Sequence, residues 1–225
     1  MADRKRAVII ITGGSINDTF ACDFIKDHNN PYIIGADRGL LFLKKAGITP
    51  DEILGDYDSV SRDEVRSFFE NERIIKHEFK SEKDETDTQL AIIRATELVC
   101  KDSGFGEVYI LGAFGSRLDH TLAALQGLTH AYDRGVCAYM YDPHNKVYIA
   151  PKDFYIKKES CYGDYVSFIP LSEQVTGLSL SGFKYNLSDY TLTIQKSLAS
   201  SNEIKADSGH ISYKEGYLLC IEANE

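Results

Sequence analysis

Val108-Tyr109-Ile110-Leu111-Gly112-Ala113-Phe114-Gly115-Ser116-Arg117-Leu118-Asp119-His120 reads as a strand, a turn and the opening of a helix, and this stretch decides the fold class. Its unbroken apolar run suits a strand covered on both faces. Gly112 to Ser116 makes the turn, and Leu118 to Asp133 continues as a helix. The same succession recurs upstream. Ala7–Ile11 is a buried strand ending at Thr12-Gly13-Gly14-Ser15. Tyr32-Ile33-Ile34 ends at Gly35-Ala36-Asp37, and a helix from Arg38 to Ala46 follows, stopped by Gly47 and Pro50. Ile53-Leu54 leads into Gly55-Asp56. Ser61 to Glu70 reads as a helix with Ser61 as N-cap and Glu64 completing a capping box. Ile74-Ile75 is a short strand. Thr86 to Lys101 is a helix with Ala91, Ile92, Ala95, Leu98 and Val99 in one apolar stripe. Val136 to Tyr141 closes the series. Alternating strands and helices predict a mostly parallel, Rossmann-like α/β domain over residues 1–145.

From residue 146 the texture changes. Short alternating runs appear at Lys146–Ile149, Tyr165–Ile169, Leu178–Leu180, Tyr190–Ile194, Ile211–Tyr213 and Leu218–Ile221. Lys214-Glu215-Gly216 reads as a hairpin turn between the last two. Residues 146–225 are therefore expected to form a small all-β sandwich. So short a segment has little core of its own, so packing on the first domain or on a second subunit is expected.

Composition narrows the function classes. The chain has 225 residues and a formal net charge of −9, which argues against a general nucleic-acid binder. No apolar run approaches a membrane span, and the run after the basic start is too short for a signal peptide, so a cytoplasmic location is expected. Cys22, Cys100, Cys137, Cys161 and Cys220 are scattered and odd in number, which fits free thiols rather than a disulfide framework or a zinc site.

Aspartates recur where strands end, at Asp37, at Asp56 and Asp58, and at Asp119 just past the next turn. Ligands of parallel α/β sheets bind outside those ends. In an extended Gly55-Asp56-Tyr57-Asp58-Ser59, Asp56 and Asp58 point to one side, and two close carboxylates call for a cation or a proton. Mg²⁺ suits such oxygen donors together with substrate phosphates. Lys83-Asp84-Glu85-Thr86-Asp87-Thr88 opens a helix, with Asp84 as the expected N-cap and Asp87 at the third helical position. Gly112 to Gly115 allows close backbone approach ahead of a helix N-terminus, and Arg117 is a planar cation suited to phosphate. The loop is not a Walker A motif, since G-K-[ST] is absent. His120 reads either as a base or as a structural residue near the helix start.

Gly35-Ala36-Asp37-Arg38-Gly39, Gly55-Asp56-Tyr57-Asp58-Ser59, Lys83-Asp84-x-Thr86-Asp87 and Gly115-x-Arg117-Leu118-Asp119-His120-Thr121 come in the order and spacing of the thiamine pyrophosphokinase family. Gly182-Phe183-Lys184-Tyr185-Asn186-Leu187 and Ser200-Ser201-Asn202-Glu203 are similar to motifs of that family's β domain. The resemblance spans nearly the whole chain. It implies a homodimer that converts ATP and thiamine to AMP and thiamine diphosphate with Mg²⁺. It implies metal contacts from Asp56, Asp58 and Asp84, and nucleotide contacts from Asp37, Ser59, Thr86 and His120. Asp87, Arg117 and Asp119 would act at the reacting phosphates, with Asp87 or Asp119 as base. Ser200, Ser201 and Asn202 would meet thiamine. The sequence departs from the family pattern at Arg38, where eukaryotic members commonly carry glycine, and at Leu90, where some carry lysine. It has no tryptophan, so Tyr185 or Phe183 stand as substitutes for stacking on the thiamine ring. Two rival functions share the same residues: a Mg²⁺-dependent nucleotide hydrolase, and a thiamine- or nucleotide-sensing module without turnover.

Overall fold

The computed structural model describes residues 5–56, 60–79 and 84–225. The chain divides into two compact units, Met1–Pro143 and His144–Glu225.

Among the described residues, the N-terminal unit runs β1 (Arg6–Ile11), α1 (Asp18–Asp27), β2 (Tyr32–Ala36), α2 (Gly39–Ala46), β3 (Glu52–Gly55), α3 (Arg66–Glu70), β4 (Ile75–Glu78), α4 (Asp87–Lys101), β5 (Phe105–Leu111), α5 (Leu118–Asp133) and β6 (Ala138–Tyr141). The strands lie in the order β4-β3-β2-β1-β5-β6. Every neighbouring pair is parallel. Val8, Ile9, Ile10 and Ile11 of β1 have no exposed surface. That is what a central parallel strand requires, since helices cover both of its faces.

Several local expectations needed correction. The helix expected from Ser61 is shorter, only Arg66–Glu70; Ser61 instead accepts a turn hydrogen bond from Glu64 N at 3.0 Å. Asp84 does not cap α4. Thr86 does, its hydroxyl accepting from Gln89 N at 3.2 Å, which makes Asp87 the first helical residue rather than the third. Helix α1 was not expected at all. Its signal was present: Asn17 caps it by accepting from Phe20 N, and Ala21 and Ile25 turn into the core.

The C-terminal unit is all antiparallel. Strands β7 (Asn145–Ile149), β8 (Asp153–Lys157), β9 (Tyr165–Pro170), β10 (Gln174–Ser181), β11 (Leu187–Thr193), β12 (Ser208–Ser212) and β13 (Leu218–Ala223) pair as β7-β13-β9 and as β11-β10-β12-β8. Phe168, Leu178, Leu180, Leu192, Ile211 and Leu218 are buried between them. The expected hairpin at Lys214-Glu215-Gly216 does not form. β12 pairs with β10 and β8, whereas β13 pairs with β7 and β9, so that turn carries the chain from one sheet to the other.

Candidate active site

The order of the parallel strands reverses between β1 and β5, and the ends of such strands leave a crevice. A cavity of about 770 Å³ opens there, within the N-terminal unit. Its walls come from the loop after β1 (Thr12 to Ile16), Asp37 and Arg38 after β2, Asp56 after β3, Asp87 and Thr88 at the start of α4, and the loop from Gly112 to Arg117 with His120 of α5. Asp18 and Lys45, an ion pair, complete one side.

The two loops beside the switch point are stitched together. Gly14 N donates to Gly112 O at 2.7 Å, and Ser15 N donates to Phe114 O at 2.6 Å. These N–H groups are therefore spent on structure rather than offered to a phosphate. A buried hydroxyl pair, Thr12 Oγ1 and Thr88 Oγ1 at 2.5 Å, ties the first loop to α4. Gly14 is required where it stands, because a Cβ there would lie 2.3 Å from the backbone oxygen of Gly112 and 2.5 Å from that of Phe114.

Charge is concentrated on the acidic side. Burial, then the neighbouring Asp87 carboxylate, pushes the Asp37 carboxyl above its ordinary range, and Asp56 adds to the effect. The hydrogen bond from the Arg38 backbone only partly offsets this. Carboxylates that resist ionising together are a place for a cation. Among the described residues no three His, Cys, Asp or Glu side chains already form a closed metal-ligand cluster. A hard cation here would have to complete its shell with water and substrate oxygens, which is how Mg²⁺ is commonly held.

Arg117 lines the same cavity. Its guanidinium donates to both oxygens of Asp119, at 3.2 and 2.5 Å. That pairing holds Asp119 below the usual carboxylate range and raises Arg117 further. Arg117 lines the cavity, whereas its partner Asp119 does not.

The structure thus brings Asp37, Asp56, Asp87, Arg117 and His120 to one cavity. It places Thr86 one residue outside, as the cap of α4, and leaves Asp84 exposed and off the wall. Asp58 and Ser59 lie outside the described residues. Sequence reading missed Thr12, Ser15, Asp18, Lys45 and Thr88. Only the Gly13-Gly14 pair at the end of β1 signalled them, by matching the glycine-bearing turn at the end of β5.

Ser200, Ser201 and Asn202 belong to the C-terminal unit. Asn202 is 1% exposed, and its amide is fully engaged. Its Oδ1 accepts from Tyr185 N at 2.9 Å and Glu203 N at 3.0 Å, while Nδ2 donates to Tyr185 O at 2.7 Å. Ser200 Oγ donates to Ser197 O at 2.7 Å. Ser201 is exposed in a left-handed conformation, φ 52°, with its N–H donated to Ser167 Oγ. Phe183 is buried edge-on against Phe168, with centroids 5.6 Å apart, and cannot stack on a ligand. Tyr185 is 56% exposed.

Comparison with known proteins agrees with both units. Residues 27–140 match the thiamin pyrophosphokinase catalytic domain, and residues 153–218 match the thiamin pyrophosphokinase vitamin B1 binding domain. The chain is 34% identical over 192 residues to the thiamine pyrophosphokinase of Bacillus subtilis, covering 85% of this chain and 87% of that protein. A crystal structure of thiamine pyrophosphokinase from Bacillus subtilis superposes with a TM-score of 0.80 at 30% identity, covering 98% of this chain and all of that one. The thiamin pyrophosphokinase of Geobacillus thermodenitrificans gives a TM-score of 0.79 at 28% identity, over 97% and 98% of the two chains.

Proposed function

The chain belongs to the thiamin pyrophosphokinase family, and from that premise we propose that the acidic cavity of its N-terminal unit is where Mg²⁺–ATP binds and diphosphoryl transfer occurs. Enzymes of this family make thiamine diphosphate and AMP from thiamine and ATP, and this chain is one of them. The observation that carries the assignment of the site is the convergence of Asp37, Asp56, Asp87 and Arg117 on one cavity at the strand-order reversal. That arrangement also supports reading the parallel sheet as Rossmann-like.

The thiamine hydroxyl oxygen forms a bond to the β-phosphorus, the bond from that phosphorus to the α–β bridging oxygen breaks, and AMP leaves. The hydroxyl proton must go to a base. Asp87 is the better candidate, because it lines the cavity while Asp119 is committed to Arg117. Arg117, held by two hydrogen bonds and fully charged, would bind the transferring oxygens. Asp56 is the described candidate for the metal, with Asp58 beside it in sequence; bound there, the ion would neutralise phosphate charge. Asp37 and His120 would contact the nucleotide, and Lys45 adds a cation on the same wall. In the C-terminal unit, Ser201 and Tyr185 have the exposure needed to meet thiamine, whereas Asn202 would shape the loop that carries Tyr185. A homodimer and a cytoplasmic location complete the reading. No described helix is long and apolar enough to cross a membrane.

The test is product analysis after incubation with ATP, Mg²⁺ and thiamine. Equal amounts of AMP and thiamine diphosphate are expected. ADP, or AMP released at the same rate without thiamine, would overturn the reading in favour of a hydrolase. Binding with no product would favour a sensing module.

A further inference from the structure

The elements that carry the cavity's acids also meet at a second place, away from the strand ends. Glu52 opens β3, and its side chain has no exposed surface. Arg94 of α4 donates Nε to its Oε2 at 2.8 Å and Nη2 to its Oε1 at 2.7 Å. The Tyr32 hydroxyl, at the start of β2, donates to Oε1 at 2.6 Å. His77 Nε2, in β4, lies 3.1 Å from Oε2. One buried carboxylate is thus bonded to two neighbouring strands and a helix.

Three of these elements meet an acid of the proposed site. β2 runs into Asp37, β3 into Asp56, and α4 begins at Asp87. Arg94 follows Asp87 by two turns of α4, about 10 Å along the axis. At the cavity end the same strand and helix come near each other again. Gly55 has φ 148°, and a Cβ there would sit 3.5 Å from Asp87 Cγ. Strand β3 and helix α4 are therefore joined by an ion pair below the cavity and lie side by side at its wall.

An apolar cluster would stabilise this unit as well or better, because desolvating an ion pair offsets much of its attraction. What the carboxylate adds is direction. A guanidinium bonded through two N–H groups fixes both orientation and height, which sliding apolar contacts do not. We propose that Glu52 is a positioning residue for phosphoryl transfer: with Arg94, Tyr32 and His77 it sets the relative heights of β2, β3, β4 and α4, and so the spacing of Asp37, Asp56 and Asp87. The inference rests on the cavity being the Mg²⁺–ATP site.

The experiment compares wild type with Glu52→Gln, Arg94→Lys and Tyr32→Phe. It measures melting temperature, kcat, KM for thiamine, the Mg²⁺ concentration for half-maximal rate, and Mg²⁺–ATP affinity by calorimetry, all well below each melting transition. Arg94→Lys and Glu52→Gln are expected to lower kcat by about 10- to 100-fold, because small misplacements of reacting groups cost that much. The Mg²⁺ midpoint should rise about tenfold while KM for thiamine moves less than about twofold. Tyr32→Phe, which keeps the ion pair, should fall between these and wild type. If the variants melt earlier but keep kcat and the Mg²⁺ midpoint within about twofold of wild type, the pair is only structural and the proposal is overturned. If Glu52→Gln does not fold, Arg94→Lys and Tyr32→Phe decide on the same criteria. A wild type with neither thiamine-dependent turnover nor Mg²⁺–ATP binding would overturn the site itself, an outcome distinct from active wild type with unaffected variants.

Discussion

Asp37 sits in a left-handed conformation, φ 49°, at the end of β2, where burial and then Asp87 disfavour its charge. Its folded pKa is raised above the unfolded value of about 3.9. Its contribution to stability is thus fully present below that value and lost as pH rises through the folded pKa. At neutral pH the ionised carboxylate is a strain on the ligand-free protein. Asp37→Asn, which tolerates the same backbone, should raise the melting temperature at pH 7 by about 1–3 °C, a figure kept small because solvent screens a partly exposed group. The gain should shrink as pH falls, and activity should drop; a melting temperature that falls at pH 7 would count against this account. Arg117 and Asp119 make a second residue-scale case. Asp119→Asn should lower kcat by about tenfold through a misoriented arginine, while Asp87→Asn should cost about 10²–10⁴-fold if Asp87 takes the proton. Rate measurements with both variants rank them, and the reverse order would hand the base to Asp119.

Helix α4 shows how an element serves a site. Its N-terminus presents Asp87 and Thr88 to the cavity, and Thr86 holds that end by capping. Thr86→Ala should cost about 1 kcal/mol, or about 2–4 °C in melting temperature. It should also loosen Asp87, so kcat falls more than this stability loss alone would explain; differential scanning calorimetry beside initial rates checks both. In the C-terminal unit the matching element is the 183–186 loop, pinned to Asn202 by amide hydrogen bonds. Asn202→Ala strands the partly buried N–H and C=O of Tyr185 and should destabilise by about 1 kcal/mol. Ser201→Ala should leave stability unchanged and raise KM for thiamine. Denaturant titration separates the two effects.

At the scale of the whole molecule, the proposed homodimer predicts a sedimentation coefficient for two chains that persists on dilution into the micromolar range; a monomer at all concentrations would remove it. The alternation of apolar runs with turn residues was enough to determined a parallel α/β unit followed by an antiparallel one, because burial on both faces or on one leaves its period in the sequence. Clustered aspartates at strand ends likewise pointed to metal and phosphate before any coordinates, and the order of the motifs named thiamine. Helix α1 is weakly legible because only its Asn17 cap and the two buried positions Ala21 and Ile25 mark it. The Asp84 cap and the 214–216 hairpin were misjudged because local signals cannot say which of two adjacent caps is used, or which sheet a strand joins. Only the tertiary structure decided which acids share a cavity. It turned Asp119 toward Arg117, sent Asn202 inward to serve Tyr185, brought Lys45 to the wall, and tied β2, β3, β4 and α4 to the buried carboxylate of Glu52. Apart from the Arg117–Asp119 pair, those contacts join residues far apart in sequence, are set by strand order and packing, and are encoded by no local pattern.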